Sequence, residues 1–254
     1  MQHPKIRLVS FADGPFGARR PGFEREAAAM DLFDDIRTHD LQTLDPDFRA
    51  RHGAFMRTQA RGFGYWIWKP QIVLQTLRDC GHGDVLVYAD VGFTLNPGGR
   101  ARLREYVELA QDSEWKMLSF QNTQTEYKWT KMDVAARVGV ERSVQVLNTS
   151  QLAAGLLVLG NTADNRRLLE DWVQIAVEDG YRYSDDSPSE RANHPEFVEH
   201  RHDASISSLL RKIRGTAVTH YEVRSYHHFE RYKPALPAWA TRIVAPPSWK
   251  RYSP

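Results

Sequence analysis

The segment from Gly83 to Gly92 sets the narrowest limit on what this chain can fold into. Val85, Leu86 and Val87 follow one another without a polar residue, so a strand here buries both faces. Strands of that kind belong to sheets covered by helices on either side, and such sheets bind ligands at the carboxyl ends of their strands. Asp90 falls at that edge, with Gly92 after it allowing a backbone or ligand to come close. The competing role for Asp90 is to cap the turn that follows.

The rest of the chain alternates. Strands are expected at 5–11, 36–44, 115–120, 152–159 and 216–221. Helical patterns occupy 23–35, the stretch opened by 64–70, then 100–110, 131–138, 166–177 and 204–212. Pro70 suits a first helical turn, and Thr162 or Asp164 suits a cap. This order predicts an α/β fold with a doubly wound, mixed, mostly parallel sheet flanked by helices. One body is expected over 1–221, with an extension over 222–254 packed on it.

With 254 residues, 41% of them hydrophobic, the chain can bury a sizeable core. Its longest apolar run, 152–159, is far shorter than the ~20 residues needed to cross a bilayer. The first residues lack the apolar stretch of a secretory signal. Cys80 is the one cysteine, which excludes an intrachain disulfide and points to a reducing cytoplasm. Charge is uneven. Arg224, Arg231, Lys233, Arg242, Lys250 and Arg251 stand against Glu222 and Glu230 after position 220, a net +4 where the whole chain carries +2. That end, rich in aromatics and proline, is expected to wrap the body in ordered form and to favour phosphorylated ligands or an anionic membrane face. Trp239, Trp249 and Lys250 suit peripheral contact at the inner membrane face, and no nucleic-acid partner is expected.

Three polar clusters interrupt the α/β pattern. They are Asp90 to Gly92, Trp129 to Asp133, and the run from Ser184 to Ser189 continued by Glu199 to Asp203. A strand-end acid, a loop with His200 and His202, and a basic tail together suit the holding of a diphosphate. A divalent cation with oxygen and imidazole ligands could bridge the phosphates while Lys and Arg neutralise a leaving group. Plainer roles compete at each place. His200 and His202 can merely flank a helix start, and Asp203 can cap it. Lys69, at a helix N-terminus among Trp66 and Trp68, can bind an anion or snorkel past core aromatics. Trp129 and Tyr127 can stack on a sugar or base, or be buried.

At these residues the chain resembles bacterial GT-A-type glycosyltransferases of surface polysaccharide assembly. The resemblance rests on Gly62 to Pro70, Leu86 to Gly92, Trp129 to Asp133, Gln151 to Gly155, Asp185 to Ser189 and His200 to Ile206, in that order, over about 62–213. It implies a GT-A-like fold and a strand-end acid, Asp90, that binds the metal and diphosphate of a nucleotide sugar. The second acid of the usual motif is replaced by Gly92, so either Asp90 and His202 hold a Mn or Mg ion, or Lys69 and the arginines stand in for it. The resemblance further implies that Ser10 to Asp13 contact base and ribose, and that Gln151 and Gly155 face the sugar or acceptor. Gly92, Lys131 and Arg201 complete the expected donor contacts. Asp185, Asp186 and Asp203 are the candidates for a base or for aligning the donor.

The expected activity is hexosyl transfer from a nucleotide-diphosphate sugar to a glycan or lipid-linked acceptor. Two rivals differ in class. A nucleotidyltransferase would use the Gly-rich, Arg-bearing loop 13–20, and a non-catalytic module would hold an anionic glycan or membrane surface with the aromatic tail.

Overall fold

The computed structural model describes residues 4–223 and 229–242, for Phe229 the backbone alone. Its strands are β1 (Ile6–Phe11), β2 (Asp35–His39), β3 (Val85–Ala89), β4 (Thr94–Leu95), β5 (Met117–Thr125), β6 (Ser150–Leu152), β7 (Leu156–Gly160), β8 (Ala217–His220) and β9 (Ala238–Trp239). Seven of them form one sheet in the order β2-β1-β3-β7-β5-β6, with β8 also paired to β5. β2, β1 and β3 are mutually parallel, β7 reverses, β5 reverses again, and β8 runs with β5 against an antiparallel β6. Five of the seven strands therefore point one way, the mixed and mostly parallel sheet expected.

Burial follows from strand alternation. Val9, Phe11, Leu86, Tyr88, Leu157 and Leu159 face one side, under the helices Pro46–Thr58, Trp68–Arg78, Ala163–Val177 and Asp203–Arg214. Leu8, Val85, Val87, Phe120, Leu156 and Val158 face the other, under Arg20–Ala29 and Arg100–Asp112. Both faces of β3 are sealed, as its unbroken apolar run requires. Local signals hold too: Pro70 lies in the first turn of its helix, and Thr162 Oγ1 accepts the Asn165 N–H at 3.1 Å.

Three expected elements take a different form. The apolar run 152–159 is two strands, broken at Ala153, Ala154 and Gly155, where the backbone passes the end of β3. Strand β5 extends to Thr125 because Gln121 and Thr125 pair with β6. Asp203 is the first residue of its helix and not the cap, which is His202. At the chain's end, β9 pairs antiparallel with β4, and Glu222 binds Arg102 at 2.7 Å. Trp249 and Lys250 lie outside the described residues. Among those described, no helix is long and apolar enough to cross a membrane.

Candidate active site

Because β3 and β7 are antiparallel, Ala89 sits opposite Leu156, and the break before β7 arrives at the carboxyl end of β3. The Asp90 N–H donates to the Gly155 carbonyl at 2.9 Å. A Cβ on Gly155 would stand 2.7 Å from Phe93 Cζ and 3.0 Å from Asp90 Oδ2, so only glycine lets the chain pass here. A cleft of about 470 Å³ opens above this junction.

Lys69 lies at its floor, 3% exposed, reaching Asp203 Oδ2 at 2.5 Å and Asp90 Oδ1 at 3.3 Å and donating to the Ala154 carbonyl at 3.2 Å. Asp90, 14% exposed, accepts the Tyr88 hydroxyl at 2.7 Å on Oδ1 and faces Arg242 Nη1 at 3.3 Å on Oδ2. Burial alone would lower the Lys69 pKa, but Asp203 and then Asp90 outweigh it and hold the ammonium above its ordinary value. For Asp90, burial pushes up, yet Lys69 and Arg242 prevail and keep it below the usual carboxylate range. Asp203 goes the other way, raised by burial and by Asp90 in spite of Lys69. The result is two buried acids bridged by one lysine, with an arginine on the outer side.

His202 forms part of the wall. Its Nδ1–H donates to the Ser184 carbonyl at 2.7 Å, which leaves a lone pair on Nε2. That buried nitrogen has no hydrogen-bond partner; Asp186 Oδ1 stands 3.6 Å away. Burial pushes His202 down to about 4, so the ring is neutral at physiological pH. Its backbone is strained at φ 51°, ψ −121°, and its ring stacks on Trp66 at 5.4 Å. Trp66 ends five consecutive residues with positive φ, Gly62 to Trp66, a left-handed turn closed by Trp66 N–H to Gly62 carbonyl. Two strained segments thus meet at one edge of the cleft.

The structure brings Asp90, Gly92, Lys69, Asp203, His202, Arg201, Gln151, Gly155 and Asp13 to this single cleft. Arg201 packs its guanidinium on Trp129 at 4.3 Å and reaches Glu199 at 3.0 Å. Asp13 lines the wall, but its two oxygens accept the Gly14 and Leu41 N–H groups. Gln151 is held by Trp129, Thr130 and Ser205.

Several expected residues lie elsewhere. Ser10 is buried on β1, on the face it shares with Leu8, and donates to the Ala89 carbonyl at the end of the neighbouring β3 at 2.7 Å. Lys131 is an internal tie, donating to the Arg182 carbonyl, Asp185 and Ser187. Asp186, 43% exposed, pairs with Arg61 at 3.0 Å and stands 3.6 Å from His202 Nε2, beside two residues of the cleft wall. His200 binds the Tyr183 carbonyl and the Lys131 N–H, which fixes the loop. Trp129 supports Arg201 and Tyr127 packs at a tilt against His194, 4.2 Å between ring centres, so neither forms a ligand-stacking wall. Loop 13–20 contributes Pro15 and Phe16 to the cleft, while Arg19 binds Glu26 and Arg20 binds Glu24 and Asp40. The nucleotidyltransferase reading loses its basic loop. Trp239 donates to the Lys233 carbonyl at 3.1 Å with Lys233 over its ring, a packed position.

The residues present do not fit the divalent cation expected at Asp90 and His202. Asp90 spends its oxygens on Tyr88, Lys69 and Arg242, and Gly92 provides no second acid. Among the described residues no three His, Cys, Asp or Glu side chains converge as a metal cluster would. Sequence reading gave no site role to Tyr88, Trp66 or Phe16, and it counted Arg242 only among the arginines of a basic tail. Tyr88 had a signal, since it shares the strand face of Asp90 two positions on. The charge of the tail was legible, but not which of its arginines meets Asp90.

No protein-family model matches this sequence, and no curated protein matches it. Among solved structures it is similar to mouse xyloside xylosyltransferase 1 in its apo form, with 10% identity over 96% of this chain and 99% of that one, TM-score 0.49. A glycosyltransferase involved in glycosylation of the major capsid of PBCV-1 shows 13% identity over 92% of each chain, TM-score 0.48. Galactosyltransferase LgtC, in complex with donor and acceptor sugar analogs, shows 12% identity over 91% of this chain and 83% of that one, TM-score 0.40.

Proposed function

We propose that the chain transfers a sugar, a hexose in the first instance, from a nucleotide-diphosphate donor to a glycan or lipid-linked acceptor. The body over 1–221 carries the site, and Arg242 of the extension over 222–254 completes it. The observation that carries this reading is the set Lys69, Asp90, Asp203 and Arg242 at the carboxyl edge of β1 and β3, facing a cleft of about 470 Å³. That edge is where a covered sheet receives a nucleotide. The cleft is also the size of a small-molecule site, about 300–1,000 Å³.

In this reaction an acceptor hydroxyl oxygen bonds to the anomeric carbon while the bond from that carbon to the diphosphate oxygen breaks. The electron pair leaves with the nucleoside diphosphate, whose departing phosphate oxygen takes the hydroxyl proton, and the developing negative charge falls beside Lys69 and Arg242. Phe11, stacked on Trp68 at 4.1 Å, and Phe16 give the cleft apolar surface for a base or sugar face.

The test is to incubate the purified full chain with a panel of nucleotide sugars and separate the products. Release of nucleoside diphosphate from at least one donor supports sugar transfer. Pyrophosphate release would mean nucleotidyl transfer, and no turnover with any donor would defeat both.

A further inference from the structure

Resting on the reading of the Asp90 cleft as a diphosphate site, we propose that the chain holds the diphosphate with a cation of its own, Arg242, backed by the buried charge of Lys69, in place of a divalent metal ion. Arg242 is the diphosphate-binding residue that this assigns.

The charges balance as a metal site's would. Lys69 and Arg242 against Asp90 and Asp203 sum to zero, the same as one divalent ion between two carboxylates. The positions agree as well. Where a second acid would extend the strand-end motif there is Gly92, and a Cβ there would stand 3.6 Å from Arg242 Cδ and 3.7 Å from Nη1. The arginine therefore lies over the place from which that acid would act. The cation beside Gly92 comes from 150 residues further along the chain.

Arg242 is set there by the backbone. Its N–H donates to the Gly92 carbonyl at 2.8 Å, and Ala240 N–H donates to the Val223 carbonyl at 3.1 Å. Antiparallel pairing of β9 with β4 places Trp239 opposite Thr94, and Thr241 Oγ1 meets Thr94 Oγ1 at 2.8 Å. The guanidinium rests 5.4 Å over the Phe93 ring and is 61% exposed on the cleft wall. It turns Nη1 to Asp90, and a planar guanidinium has further N–H donors to offer a phosphate in fork geometry. Lys69, below Asp90 and nearly sealed, supplies the fixed charge that holds the acid in place.

Titrating the full chain with inorganic pyrophosphate tests this, in excess EDTA and separately with Mn2+. Binding in EDTA at an affinity within about threefold of that with Mn2+ is the expected result. Arg242→Met should weaken it about tenfold or more at unchanged melting temperature, and Arg242→Lys should restore part of the loss. Binding seen only with Mn2+, an Arg242→Met variant as tight as wild type, or no pyrophosphate binding in either condition would overturn the proposal. The parent reading fails separately. Metal-free, Arg242-dependent pyrophosphate binding without turnover of any nucleotide sugar would leave this proposal standing, whereas turnover that needs Mn2+ would spare sugar transfer and remove this one.

Discussion

Lys69 holds Asp90 and Asp203, which come from elements more than a hundred residues apart, so its charge is a structural requirement before it is a chemical one. Removing one partner of a buried ion pair leaves the others uncompensated, at a cost of about 3–5 kcal/mol. Lys69→Met should lower unfolding free energy by about that amount, read by denaturant titration; a loss under about 1 kcal/mol would show that the acids are solvated or protonated without it. His202 makes a separate prediction with a definite sign. Its pKa falls from 6.5 to about 4 on folding, chiefly by burial with Arg61 adding to it, while the Ser184 carbonyl, Asp186 and Glu199 oppose. A group with a depressed folded pKa contributes stability above its unfolded value and loses it as pH falls. Wild-type stability should therefore decline between pH 6.5 and about 4, by about 3 kcal/mol from this residue. His202→Gln should flatten that slope; an unchanged slope would place the titration elsewhere.

At the scale of elements, the site exists because one strand stops early. The apolar run 152–159 carried a strand signal, yet the break at Ala153 to Gly155 depends on what lies across the sheet, namely Asp90, Phe93 and Tyr221. Gly155→Ala should push its Cβ into Phe93 and Asp90, costing about 1–3 kcal/mol and lowering turnover at least tenfold, measured by melting and by donor hydrolysis. An Ala variant with full activity would mean the backbone has room to shift. Strand β3, its terminal Asp90 and most helices were legible from periodicity and caps, because those signals are local. The left-handed turn Gly62 to Trp66 was not, since Gly62 and Gly64 suit positive φ but the three aromatics Phe63, Tyr65 and Trp66 adopt it against their own preference. The cost of that turn is met by tertiary contacts, Trp66 on His202 and Trp68 Nε1–H on the Gly62 carbonyl.

Over the whole molecule, the sheet order decides which distant residues share a cleft. Parallel β1 and β3 bring Phe11 and Asp90 to one edge, antiparallel β7 brings Gly155 to the same edge, and the helix at Asp203 closes it. Asp90, Lys69, His202 and Asp203 could be nominated from the sequence because each interrupts an apolar or helical pattern. Lys131 and Ser10 interrupt patterns too, yet they are spent on internal hydrogen bonds. Which arginine of the basic tail would reach Asp90 was hidden, because the two-strand pairing of β9 with β4 positions Arg242, a contact without periodicity. If the cleft is the donor site, Asp90→Asn should cut turnover by orders of magnitude, beyond what its loss of stability explains at a temperature where the variant is still folded. The most direct measurement is a crystal structure of the full chain soaked with uridine and with guanosine diphosphate, each in EDTA. The account predicts a diphosphate in the Asp90 cleft within hydrogen-bond reach of Arg242; a diphosphate bound away from Asp90, or a cleft that excludes both nucleotides, would contradict it.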